Sequence, residues 1–149
     1  MSCLLVLGPG GPADPPDAGR RRSGVPLRLL LDRTEVEGRF NLLVVAVAFR
    51  RRAFPLLWVE LGHAGCCSFR EQRLLLGRVR AWIPEGARVI VIGVGDREFR
   101  STQLARWIVR QGWEFVLRLK CDTRVEVRPG RWVRLDELGW DFSRESAAG

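Results

Sequence analysis

The stretch that most constrains the fold is Val89-Ile90-Val91-Ile92, an unbroken β-branched run that ends in Gly93-Val94-Gly95 and then in Asp96-Arg97-Glu98-Phe99. Four such residues without polar alternation suit a strand covered on both faces of a sheet. The two glycines let the backbone turn sharply just past the strand end. Asp96 is therefore expected at the carboxyl edge of the sheet, where proteins built this way collect ligands and chemistry. A second acid, Asp32, ends the run Pro26-Leu27-Arg28-Leu29-Leu30-Leu31 and is the candidate partner at that edge.

The pattern around these two runs gives an ordered series of elements. After the strand ending at Asp32 comes a polar link through Glu37-Gly38, and residues Asn41 to Phe49 form a second, nearly all-apolar strand. Arg51-Arg52 make a turn into a third strand from Phe54 to Leu61, whose Pro55 is tolerated at a strand start or on an edge. Short links between the three predict an antiparallel meander. Ser68 and Glu71 have capping-box spacing and predict a helix start. Leu75, Val79, Trp82 and Ile83 supply its apolar face, and Pro84 with Gly86 end it. Beyond the Asp96 strand, Ser101 can cap a second helix with Leu104, Trp107 and Ile108 on one face and Gly112 at its end. Glu114 to Lys120 is a further strand. Thr123 to Val127 and Trp132 to Leu135 flank the turn Arg128-Pro129-Gly130-Arg131 as a hairpin.

At 149 residues with 46% hydrophobic content, the chain can bury one ordinary core. The segment from Gly8 to Gly24 holds Gly-Pro-Gly-Gly-Pro, Asp-Pro-Pro-Asp and Arg20-Arg21-Arg22, with almost nothing to bury; residues 1–25 are expected to be a disordered leader. A basic nucleic-acid arm is the sharper alternative for its three arginines. Twenty-five basic against 17 acidic residues give a formal charge of +8, which points to a nucleic-acid partner. Lys120 is the only lysine, an imbalance that codon bias explains better than function does. The longest apolar run, Leu42 to Phe49, is far shorter than a membrane span, so no membrane partner is expected. The four cysteines, Cys3, Cys66, Cys67 and Cys121, form no C-x-x-C pair and suggest a reduced, cytoplasmic chain. His63 near Cys66 and Cys67 lacks a fourth ligand at zinc spacing, and a loop histidine beside two small buried thiols is the simpler reading.

Three antiparallel strands followed by helix, strand, helix and strand make an α/β, ribonuclease H-like order, in which the first and fourth strands run parallel and adjacent. That order sets Asp32 beside Asp96. Two bare carboxylates at one edge repel, and a magnesium or manganese ion with hard oxygen ligands relieves the repulsion. Two such ions can clamp the attacking and leaving oxygens of a phosphoryl transfer. The plainer alternative makes Asp32 a strand-end residue paired with an arginine and Asp96 a local cap near Ser101. A dinucleotide loop starting at Gly93-Val94-Gly95 is a further alternative, but Glu98 stands where the third glycine belongs.

Asp32-Arg33-Thr34, Arg50 through Ala53-Phe54-Pro55-Leu56-Leu57-Trp58, Asp96-Arg97-Glu98-Phe99 and Phe115 to Lys120 resemble, in order and spacing, the catalytic core of bacterial insertion-sequence transposases of the D-D-E type. The resemblance is to the group whose core is interrupted by a β-strand insertion domain, and it covers about Leu27 to Leu135. It implies magnesium-dependent cleavage at transposon ends, then attack of the freed 3′ hydroxyl on target DNA. Asp32 and Asp96 carry over as catalytic metal ligands, and Arg97 as a motif residue with a phosphate contact or a structural ion pair as its role. Intact relatives are expected to act as dimers on DNA in the cytoplasm, at the nucleoid.

The same resemblance implies a partial core over 26–121, and over 122–149 the start of the insertion domain and a tail. The family's third acid is a glutamate on a later helix, preceded by a tyrosine and an arginine; this chain has no tyrosine. Glu137 is the nearest substitute by spacing. The family's helical DNA-binding region before the first strand has only the Gly/Pro leader in its place. A truncated core that does not cut DNA alone is therefore expected, with one sheet face partly uncovered. A DNA-binding remnant without chemistry is the competing expectation.

Overall fold

The computed structural model describes residues 2–7, 24–94, 99 and 101–138. Among the described residues, eight strands and two α-helices follow one another as β1 (Ser2–Leu7), β2 (Leu27–Val36), β3 (Phe40–Phe49), β4 (Arg52–Glu60), α1 (Phe69–Arg80), β5 (Val89–Gly93), α2 (Thr102–Arg110), β6 (Glu114–Lys120), β7 (Arg124–Arg128) and β8 (Arg131–Arg134). The last two form a separate hairpin, and a 3-10 turn, Leu135–Leu138, follows. The others make one mixed sheet in the order β1-β6-β5-β2-β3-β4.

β5 owes its central place to its sequence: its β-branched residues are buried or half-buried throughout, with β2 parallel on one side and β6 parallel on the other. β2, β3 and β4 form the expected antiparallel meander. The outer strand β4 carries Pro55 beside a bulge at Val45/Ala46, where a missing amide donor costs little. The β3–β4 link is a two-residue turn whose Arg50 and Arg51 both have positive φ, 47° and 64°. This is the twist that suits a tight hairpin, adopted here by two arginines where Asn-Gly is usual.

Two elements depart from the sequence reading. Ser2–Leu7, assigned to a leader spanning 1–25, is an edge strand antiparallel to β6; residues 8–23 of that leader lie outside the described residues. β2 does not stop at Asp32 but runs on to Val36, because Arg33 to Val36 continue to pair with β3, and the exposed side chains of Thr34 to Val36 stay in water where polar groups are at no disadvantage. Helix α1 begins as expected, with Ser68 and Glu71 satisfying each other's free amides. It ends at Arg80, and Ala81, Trp82 and Ile83 donate to carbonyls three residues back. That tighter winding turns Trp82 off the apolar face and leaves it 61% exposed.

The two faces of the sheet differ. Leu29, Leu31, Leu43, Val45, Val91 and Phe115 are buried together with Leu75, Leu76 and Val79 of α1 and Leu104 and Ile108 of α2. The alternate residues, Leu30, Val44, Ile90, Ile92 and Val116, are only half-buried, and Trp58 at the β4 edge is 60% exposed. Both helices thus cover one side, and among the described residues no helix covers the side bearing Asp32. Among the described residues no helix is long and apolar enough to cross a membrane.

Candidate functional site

Asp32 lies on β2 opposite Val44 of β3, with its side chain half-buried on the face that no described helix covers. The parallel ladder to β5 ends at Leu31↔Gly93, and the Val94 amide adds one more bond to the Leu31 carbonyl at 3.0 Å. The chain after β5 therefore leaves the sheet alongside Asp32, two residues before Asp96. Asp96 and Arg97 themselves lie outside the described residues. Phe99, which closes the same segment, is fully buried, and it packs on Gly93 so closely that a Cβ on that glycine would meet Phe99 Cβ and Leu117 Cδ2 at 3.0 Å. Ser101 then caps α2 by accepting from the Leu104 amide. Both ends of the acidic segment are thus fixed, one to β2 and one to the core.

The Asp32 carboxylate makes no hydrogen bond or ion pair with any described residue, so the arginine partner of the plainer sequence reading is absent there. A half-buried oxygen pair of this kind is a hard donor for a divalent cation that retains waters. No group of three His, Cys, Asp or Glu able to hold a metal occurs among the described residues. Glu137 is not joined to Asp32 by any described contact. It sits on the 3-10 turn, which is tied by the Asp136 amide to the Cys121 carbonyl at the end of β6, and its exposed carboxylate lies 3.9 Å from Arg134.

The adjacent loop is organised by a residue the sequence did not single out. Asn41 is 5% exposed; its Oδ1 accepts from Arg33 at 2.9 Å, and its Nδ2 donates to the His63 and Gly65 carbonyls at 2.9 and 3.0 Å. An asparagine at the head of an apolar strand carries no local sign of this role, because the two carbonyls it donates to lie more than twenty residues away. His63 is exposed and pairs with Glu71 at 2.9 Å, not with sulfur. Cys66 is exposed; Cys67 is buried and its Sγ accepts from Gln72 Nε2. Cys121 is disulfide-bonded, against the expectation of a fully reduced chain.

The bond to Glu71 raises the His63 pKa above its ordinary 6.5, and the Ser68 amide, with His63 assisting, lowers that of Glu71 below 4.5. Protonated His63 therefore supports the fold fully below 6.5, and its contribution fades as pH rises through the raised value. Ionised Glu71 supports it above 4.5, and that contribution fades as pH falls through the lowered value. His63 is the only histidine. Its ring protons in an NMR titration are expected to report a midpoint above 6.5 that returns toward 6.5 in Glu71→Gln.

The chain matches no protein-family model, no curated protein and no solved structure.

Proposed function

We propose that this chain is the ribonuclease H-like core of a D-D-E-type insertion-sequence transposase, working on DNA through a divalent-metal site that Asp32 and Asp96 share. The observation that carries the reading is the parallel β2–β5 ladder, which ends with Asp32 level with Val94. The strand order β6-β5-β2-β3-β4 agrees with the reading, while β1 is an addition to it. The Asp32 carboxylate, which has no partner among the described residues, agrees as well, since a charge half-removed from water is stabilised by an ion pair or a bound cation.

When bound, magnesium or manganese supplies polarisation of a phosphoryl oxygen and activation of the attacking hydroxyl. The protein's own part is positional. β2 holds Asp32 rigidly between β3 and β5, and Phe99 anchors the segment that carries Asp96 and Arg97. Two carboxylates bind such an ion weakly without a third ligand, so the chain is proposed not to cleave DNA alone.

The test is thermal unfolding with manganese. A hundredfold excess over Kd stabilises the fold by about 2.7 kcal/mol, a rise of several degrees in Tm. Asp32→Asn is expected to abolish that rise. A second reading, a DNA-binding remnant without chemistry, draws on the absence of a three-ligand metal group among the described residues. It gains if manganese leaves Tm unchanged while salt-sensitive DNA binding persists.

A further inference from the structure

On the helix side of the sheet, away from Asp32, α1 lines an open groove of about 900 Å³, with Trp107 of α2 at its border. Phe69 and Leu74 of α1 and Trp107 of α2 supply its apolar surface, and Arg70, Arg73, Arg78 and Arg80 supply its charge; no carboxylate lines it. Positions 70, 73, 77 and 80 recur at helical spacing, so three of these arginines form a stripe roughly 15 Å long on one side of α1.

Three features point to a ligand. None of the four guanidinium groups is hydrogen-bonded or ion-paired among the described residues, whereas Arg88 and Arg134 are each held by a carboxylate, Glu114 and Asp136. Like charges crowded on one helix face repel, and an anionic occupant relieves them. Gly77, in the middle of the stripe, is unfavourable for a helix, and a Cβ there would meet nothing within 4 Å. Packing does not require that glycine; its effect is to keep the groove open. Finally, Trp107 is held edge-on by the buried Trp113, ring centroids 6.1 Å apart and planes at 89°, which gives the groove a fixed aromatic surface.

Unpaired arginines suit phosphate, and they suit an acidic peptide as well. The aromatic surface beside them favours nucleic acid, and specifically a single strand, whose bases are free to stack; a duplex hides them. We propose that the α1–α2 groove binds single-stranded nucleic acid, with phosphates on the four arginines and a base stacked on Trp107. The proposal does not rest on the metal site, which faces the other side of the sheet.

The test is fluorescence anisotropy of a labelled oligo-dT strand with the full chain in EDTA, so that metal plays no part. Four phosphate contacts predict a slope of about −2.8 in log K against log salt, and Arg70→Gln with Arg73→Gln is expected to reduce it by about 1.4. Trp107→Leu is expected to weaken binding about tenfold with the slope retained. Gly77→Met keeps every charge and favours the helix, so its expected loss of binding cannot come from unfolding. Tighter binding of a duplex of equal length, equal competition by polyglutamate, or an unchanged slope in the double arginine variant would overturn the proposal.

Discussion

Gly93→Ala is expected to destabilise the fold by about 1–3 kcal/mol, and Gly93→Val by more, because both push new atoms into a filled core. The added Cβ would sit 3.0 Å from both Phe99 Cβ and Leu117 Cδ2. The Leu117 methyl can rotate away, but Phe99 Cβ is fixed to its own backbone, so relief requires the segment after β5 to shift. The effect should therefore reach beyond stability: moving Phe99 displaces the anchor of the residues that carry Asp96. Urea unfolding measures the first consequence and loss of the manganese-induced rise in Tm the second. Gly77→Ala is the control, since nothing lies within 4 Å of its added carbon. It should leave stability unchanged or raise it by up to about 1 kcal/mol.

Asn41→Ala should cost a further large amount, about 1–3 kcal/mol, for a different reason. It removes no large volume but leaves the His63 and Gly65 carbonyls without their side-chain donor, and takes one hydrogen bond from Arg33. Asn41→Asp separates the two halves of that network. The carboxylate still accepts from Arg33, yet has no N–H for the two carbonyls and sets a charge against them. Both variants should unfold at lower urea than the parent, and Asp should not rescue Ala. Stability of Asn41→Ala within about 0.5 kcal/mol of the parent would show that water replaces the lost donor.

Much of the architecture was legible because its signals are local. The β-branched run at Val89 announces a central strand, Ser68 and Glu71 announce a helix start, and Gly130 with its flanking alternation announces the β7–β8 hairpin. What escaped depends on partners distant in the chain. Ser2–Leu7 looks like the front of a Gly/Pro-rich leader until β6 gives it a neighbour more than a hundred residues on. Arg33 to Val36 read as a polar link because their own side chains are half-buried or exposed, although β3 opposite them keeps Leu43 and Asn41 buried. The basic groove needs α1 and α2 side by side, so no single stretch displays it.

The candidate site was legible to the same degree. The order of elements paired the strand of Asp32 with the strand leading to Asp96, and β2 and β5 are indeed parallel neighbours. The sequence could not reveal that Asp32 sits in mid-strand at the end of the parallel ladder, or that it has no arginine partner among the described residues. Glu137 is a candidate from spacing alone. Its separation along the chain suits a third ligand, while its place on the 3-10 turn after β8, 3.9 Å from Arg134, is set by the hairpin.

The most direct test of the account is paramagnetic relaxation by manganese, read on the backbone amides of the full chain by NMR. A metal shared by Asp32 and Asp96 should broaden the amides of residues 31–33 and Val94 first, leave those of α1 sharp, and lose this effect in both Asp32→Asn and Asp96→Asn. Broadening that persists in both variants, or that centres on the β7–β8 hairpin instead, would contradict the proposed site.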